Sequence, residues 1–309
     1  MGEIVRYKRD VWGEEVILGV SWDLLWVVAV AVLVLLAAHA IVMAVLANKK
    51  MDMPSGEGKR VVRHESIDRW FHWVMALSIF ALILTGIAPI VGLRFAWLNW
   101  HWMAGLLLSF ITVVHIVRSL FWQDFKSMIL GPRDFAEPFD STRLPGKYSF
   151  EQKGMHWAVT VVVMTVIATG LLMFLQIDSP FWERTNSMPE SQLGLVFLLH
   201  GLSTLALVAL AATHIYFAIR PEKLFYTRSM FKGWISEDEM KANHDPNLWS
   251  PKQADFQITS PISMFGFKLR CRPPLAQSSV PVFIFMMVAV KMASWRRKSR
   301  RAGASAAAA

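Results

Sequence analysis

Apolar residues fall in five long blocks, and charge and proline collect in the segments between them. A hydrocarbon core about 30 Å thick is crossed by roughly 20 apolar residues of helix, at about 1.5 Å of rise per residue. Blocks of that length predict helix A over about 22–47, B over about 70–92, C over about 98–122, D over about 155–175 and E over about 193–219. Helix A reads as a retained span. Its apolar stretch is too long for a cleaved leader, and Glu3, Asp10, Glu14 and Glu15 precede it beside the bases. A later run, VPVFIFMMVAV, has 11 residues, which is too short to cross, and RRKSRR follows it. That run is expected to be interfacial or poorly ordered, and the closing AGASAAAA is low-complexity sequence.

Composition agrees with a membrane class: 54 % of the 309 residues are hydrophobic, too large a share for an ordinary soluble domain. The net charge of +9 is distributed unevenly, and its placement predicts topology. Lys49, Lys50, Lys59, Arg60, Arg63 and Arg69 lie between A and B; Lys126, Arg133, Arg143, Lys147 and Lys153 lie between C and D. Arg220, Lys223, Arg228 and Lys232 follow E, whereas the B–C loop has only Arg94 and the D–E loop only Arg184. Under the positive-inside rule the three basic segments are cytoplasmic and the N-terminus is outside. The basic balance therefore reports orientation, and no nucleic-acid partner is expected.

The single cysteine, Cys271, excludes an intrachain disulfide and a cysteine-held iron–sulfur cluster within this chain. No glycine-rich nucleotide loop or zinc-type Cys/His cluster is present either. Histidine carries the chemistry. His101 and His115 are fourteen residues apart in helix C, and His200 and His214 are fourteen apart in helix E. That spacing returns to within about 40° of the same helix face and advances about 21 Å. Since C and E run in the same direction, His101 is level with His200 and His115 with His214. His72, at the start of helix B, also reaches the inner level. Ionisable groups inside a membrane are costly and mark function. Two levels of paired imidazoles suit bis-histidine ligation of two b-type haems, one nitrogen from each of two helices per iron.

Hydrogen bonding between helices would explain a lone histidine, but not two matched pairs. A histidine-relay transporter is a more remote alternative, since the spans hold almost no internal acid beyond Asp23. Spacing alone leaves both His72 and His115 open as the inner partner of His214. His39 is expected to make an interhelical contact, His156 to play a polar interface role, and His244 to be solvated or at a subunit contact. Gly86, Gly105, Gly170 and Gly201 fall on helices B, C, D and E, where a missing side chain admits a neighbouring helix or a flat macrocycle.

Taken in order, VVRHESIDRWFHW, NWHWMAG, GKYSFEQKGMHW, LLHGLSTLALVALAATHIYF and HDPNLW make residues 60–250 resemble a known family. It is the cytochrome b gamma subunit of membrane-bound respiratory formate dehydrogenase. The resemblance implies an all-α integral membrane protein, a four-helix di-haem cytochrome b bundle, to which this chain adds an N-terminal transmembrane helix. It divides the chain into 1–60, the extra helix and basic linker; 61–250, the di-haem domain; and 251–309, a tail.

The resemblance also implies two haems b, the outer on His101 and His200 and the inner on His72 and His214, with His115 as the alternative inner ligand. A quinone pocket, for menaquinone or ubiquinone, is implied beside His214 in the loop entering helix D, with Lys147, Tyr148, Gln152 and Lys153 matching. There the chain departs from the family pattern: Ser149 stands where Asn is usual and Glu151 where Gly is usual. A serine hydroxyl can still donate to a quinone carbonyl.

The implied function is electron transfer from an iron–sulfur subunit to membrane quinone. Formate oxidation would reside on a molybdenum-containing partner chain, and the complex would lie in a bacterial or archaeal cytoplasmic membrane. The membrane anchor of a nickel–iron hydrogenase or of a thiosulfate-type reductase is the alternative, because these share the architecture.

Overall fold

A computed structural model describes residues 4–250 apart from 10, 12, 47–57 and 141. Cys271, the VPVFIFMMVAV run and the rest of the expected tail lie outside the described residues. Five helices are long and apolar enough to cross a membrane: α1 (Trp22–Leu46), α2 (Ser66–Ile87), α3 (Trp97–Trp122), α5 (Phe150–Phe174) and α6 (Glu190–Ala218). A short α4 (Pro132–Ala136) lies in the long α3–α5 connection, and α7 (Leu224–Lys232) and α8 (Glu237–Asn243) follow α6. The chain is a helical, multi-pass membrane protein.

The ends of the spans follow local chemistry. Ser149 caps α5 by accepting from the Gln152 backbone N–H, while the Gln152 side chain accepts from the Ser149 N–H. Helix α2 gives way to a turn through Pro89 and Gly92, the latter at φ 79°. Both α2 and α6 carry an acid in the first turn, Asp68 and Glu190, where the helix dipole favours it.

Helices α2 and α3 form one antiparallel hairpin, α5 and α6 a second, and α3 packs against α5 between them. Phe71, Leu82, Leu108, Ile111, Val163 and Leu207 make the buried core. Serine and threonine hydroxyls buried among these helices donate back to the preceding turn, as Ser78 does to the Val74 carbonyl at 2.8 Å. Helix α1 stands outside this bundle against α6, its faces otherwise apolar and exposed as a lipid-facing span requires. There the Tyr216 hydroxyl lies 2.8 Å from His39 Nδ1, the interhelical contact expected of that histidine.

Two small sheets complete the fold. Strands β1 (Val5–Arg9) and β2 (Glu15–Val20) pair antiparallel, with a bulge between Arg6 and Tyr7, and β2 lies along α6. The strand approaches so closely that a Cβ on Gly194 would sit 2.3 Å from the Ile17 carbonyl oxygen, and one on Gly201 2.7 Å from Val20. Gly201 therefore admits a strand, where the sequence suggested a helix or a macrocycle. Strands β3 (Arg60–Val62) and β4 (Trp234–Ser236) pair Val61 with Ile235, both buried, and so tie the entrance of α2 to the segment after α6.

Candidate functional site

The two hairpins present matched residues at matched heights. His72-Trp73 precedes Thr85-Gly86 by thirteen residues in α2, and His156-Trp157 precedes Thr169-Gly170 by thirteen in α5. At the end of the bundle where α3 and α6 begin, the rings of His101 and His200 face each other with centroids 6.3 Å apart and planes at 69°. Each ring is held by the neighbouring helix. Thr85 Oγ1 lies 2.9 Å from His101 Nδ1 and Thr169 Oγ1 lies 2.9 Å from His200 Nδ1. Both hydroxyls already donate to a carbonyl one turn back, Thr85 to Ala81 and Thr169 to Thr165, each at 2.7 Å. They must therefore accept from the imidazoles, which places a proton on each Nδ1 and leaves each Nε2 lone pair for another partner.

Gly86 and Gly170 clear the space beside these rings. A Cβ on Gly86 would lie 3.6 Å from His101 Cε1, and one on Gly170 3.4 Å from His200 Cε1. Trp102 stacks on Phe174 at 5.2 Å, and Phe174 meets Trp182 at 4.7 Å, which closes this end of the bundle with aromatic rings.

At the other end, His72 and His214 face each other with centroids 6.2 Å apart and planes at 55°. His115 is turned elsewhere: its ring packs at 6.3 Å from Phe71, and its Nδ1 is buried with no hydrogen-bond partner. The two separations suit one metal between two rings. A metal–imidazole bond of about 2 Å and about 1.1 Å from nitrogen to ring centre, taken twice, give about 6.2 Å. The four histidines fit bis-imidazole haem iron at two levels.

Beneath His72 and His214 the non-spanning segments form a packed cap. The loop proposed from sequence as a quinone contact is part of it. Gln152 and the Ser149 acceptor are used in capping α5, which leaves the Ser149 O–H free of that role. Lys153 donates to Asp134 at 2.7 Å. The Tyr148 ring lies 6.3 Å from His64, and Lys147 Nζ 5.3 Å from the Tyr148 ring.

His64 and Arg63 escaped the sequence reading. Arg63 is 3 % exposed, with the rings of Tyr148, Tyr226 and Trp249 around its guanidinium. It donates to the Lys147 carbonyl at 2.8 Å, to Gln152 Oε1 at 3.4 Å and to His244 Nε2 at 2.9 Å. Because His244 Nε2 accepts, its Nδ1 carries the proton and donates to the Gly146 carbonyl at 2.6 Å. His244 is fully buried inside the chain, not solvated or at a subunit contact as the sequence suggested. Burial and then the Arg63 charge push its pKa down to about 4. His64 is pushed down to about 2 by burial, then by Arg63, Lys147, His72 and Arg69. Gly233 makes this cap possible: its φ is +87°, and a Cβ there would lie 2.9 Å from the His64 carbonyl oxygen. The pairing of VVRH with HDPNLW, 181 residues apart, was not visible from local pattern.

The family described as prokaryotic cytochrome b561 matches residues 63–233. The cytochrome b556 subunit of formate dehydrogenase from Haemophilus influenzae is 26 % identical over 203 residues, covering 60 % of this chain and 81 % of that protein. The formate dehydrogenase cytochrome b556(fdo) subunit of Escherichia coli K12 is 23 % identical over 203 residues, covering 60 % of this chain and 90 % of its own length.

Proposed function

Because the chain belongs to the prokaryotic cytochrome b561 family, whose members bind haem b, we propose that it is the membrane di-haem cytochrome b subunit of a formate dehydrogenase. In that role it passes electrons from an iron–sulfur partner to membrane quinone. The observation that carries this reading is the pair of facing imidazoles at 6.3 Å and 6.2 Å, at two heights in one bundle. The names of the relatives at 23–26 % identity supply the donor complex. When bound, the two haems supply one-electron redox chemistry over the height of the membrane.

The chain's own residues do the rest. His101 and His200 hold one iron, with Thr85 and Thr169 orienting their rings; His72 and His214 hold the other. His115 stays a packed neighbour of Phe71. The loop bases orient the chain with its N-terminus outside, so the His72 and His214 level is cytoplasmic in a bacterial or archaeal inner membrane. Quinone reduction takes two electrons and two protons. Lys147, Tyr148 and Ser149 are the donors nearest the cytoplasmic side to serve it, with His214 as the neighbouring haem ligand and Gln152 holding the loop in shape. Menaquinone and ubiquinone both present carbonyl oxygens that these groups would meet. Formate oxidation belongs to a molybdenum-containing partner.

The test is isolation of the complex from native membranes through a tag on this chain. A molybdenum subunit and an iron–sulfur subunit are expected to co-purify, and formate is expected to reduce the haem bands under anaerobic conditions. Reduction by hydrogen and not formate, with a nickel–iron subunit bound, would overturn the choice of donor.

A further inference from the structure

Three cations converge on His64, and among the described residues no carboxylate balances them. Arg63 and Lys147 lie 5.5 Å and 5.3 Å from the Tyr148 ring, which is itself 6.3 Å from the His64 ring, and a Cβ on Gly233 would meet both the His64 carbonyl oxygen at 2.9 Å and Arg69 Cζ at 3.2 Å. Arg69 precedes His72 by one turn of α2, which sets the cluster beside the His72 and His214 level. Among the described residues none of the three takes part in an ion pair. The acids nearest in sequence are engaged elsewhere: Asp68 accepts from Arg118 at 2.8 Å and from Gln123 at 2.7 Å, and Glu65 faces Arg118 at 3.3 Å. Glu151 lies 3.8 Å from Lys223. The acidic groups acting on Arg63 are phenols, those of Tyr226 and Tyr148. The Nε of Arg69 is buried without a partner.

A guanidinium 3 % exposed and without an anion is a costly state. Three neutral hydrogen bonds and three aromatic faces lessen that cost, but they do not cancel the charge. Two further cations in the same place raise the demand for an anion. A haem held between His72 and His214 brings two carboxylates on short flexible chains, and arginine forks match carboxylate geometry.

We propose that Arg63, Arg69 and Lys147 form the carboxylate-binding site that receives the propionates of the inner haem. This rests on the reading that His72 and His214 share that haem, and with Lys147 on a propionate, Tyr148 and Ser149 remain as the quinone donors. The cluster has two consequences. It fixes the haem's rotational setting in the bundle, and it favours the reduced, more negative state of the inner haem. The arginine held by the cap thereby couples the packing of α7, α8 and the HDPNLW segment to the potential of the inner centre. His64, neutral among the cations, separates them without adding charge.

The experiment is a redox titration of the purified complex carrying wild-type chain, Arg63→Gln, Arg63→Lys, Lys147→Gln or His72→Ala, with haem content measured in parallel. Arg63→Gln is expected to shift the reduction equilibrium of the inner haem about ten-fold toward the oxidised form, about 59 mV for a one-electron couple, and to leave the outer haem unmoved. Lys147→Gln is expected to move it in the same direction. That variant keeps the backbone carbonyl that Arg63 uses, so it tests the idea even if Arg63→Gln does not assemble. Arg63→Lys is expected to retain most of the charge effect. An unchanged inner potential in Lys147→Gln and in any assembled Arg63→Gln would overturn the proposal. So would an unchanged potential accompanied by loss of bound phospholipid, since the anion held would then be a lipid phosphate, or by loss of bound quinone, since the cluster would then serve the quinone carbonyls. Retention of both haems in His72→Ala would instead refute the underlying ligand assignment, and this result is distinct from the other two.

Discussion

Replacing Thr85 or Thr169 by valine removes an acceptor and leaves the fold otherwise intact, because valine keeps the branched shape at Cβ. In the native protein each hydroxyl accepts from an imidazole Nδ1–H at 2.9 Å and donates to a carbonyl at 2.7 Å. After substitution the imidazole N–H is buried without a partner, which costs about 1–3 kcal/mol. Groups of this kind behind a metal-binding histidine change affinity by roughly 10–100-fold, the same range expressed as binding. Each single variant is therefore expected to hold the outer haem about 10–100-fold more weakly. Its potential is expected to rise, because the lost hydrogen bond had made the imidazole a stronger electron donor. The assay is haem retention on dilution in detergent together with redox titration, with Thr→Ser at both positions as the control that restores the acceptor. The double valine variant is expected to lose the outer haem first and keep the inner one. Loss of the inner haem instead, or serine variants as defective as valine ones, would show that these hydroxyls do not support the outer ligands.

Three other outcomes follow from the same geometry. Gly170→Val and Gly86→Val put bulk beside His200 and His101, where even a Cβ comes within 3.4 Å and 3.6 Å. Both are expected to assemble with helical content near wild type by circular dichroism but to lack the outer haem's absorbance. For the cap, the folded pKa of His244 lies near 4, below its ordinary value of 6.5. The unfolded form thus binds more protons between those limits, and stability falls as pH drops through that window, by at most about 3 kcal/mol. Hydrogen exchange of residues 224–250 is expected to quicken between pH 6.5 and 4 in wild type, and His244→Asn is expected to flatten that dependence. Reporter fusions after Phe95 and Arg184 are expected to report an outside location and one after Pro145 a cytoplasmic one; a common location for all three would contradict the loop-charge reading.

The spans were legible because lipid imposes a length and an apolar composition on any helix that crosses it. Their ends were less so. Helix α5 starts five residues before the predicted 155 because Ser149 and Gln152, polar residues that read as loop, are its cap. Helix α2 starts at Ser66 rather than 70 without a side-chain cap; its first turn holds Asp68, a polar residue that reads as loop and is bound to Arg118. The histidine levels followed from helical period alone, yet period could not separate His72 from His115. What separates them is which ring faces His214 across the bundle, a property of the packing between helices. The repeated His-Trp and Thr-Gly pairs were a usable signal for Thr85 and Thr169 and passed unused. Arg63, His64 and His244 were hidden for another reason. Their chemistry depends on β3 meeting β4 and on the 145–152 loop folding under both, contacts with no trace in local pattern.

In the proposed assignment His72 with His214 hold one haem b, and His101 with His200 hold the other. Haem-to-protein stoichiometry of the fully loaded complex, compared among wild type, His72→Ala and His115→Ala by pyridine haemochrome and redox titration, tests it most directly. Two haems are expected in wild type, one in His72→Ala with the outer potential retained, and two in His115→Ala. A single haem in wild type, or loss of the inner haem only in His115→Ala, would contradict it.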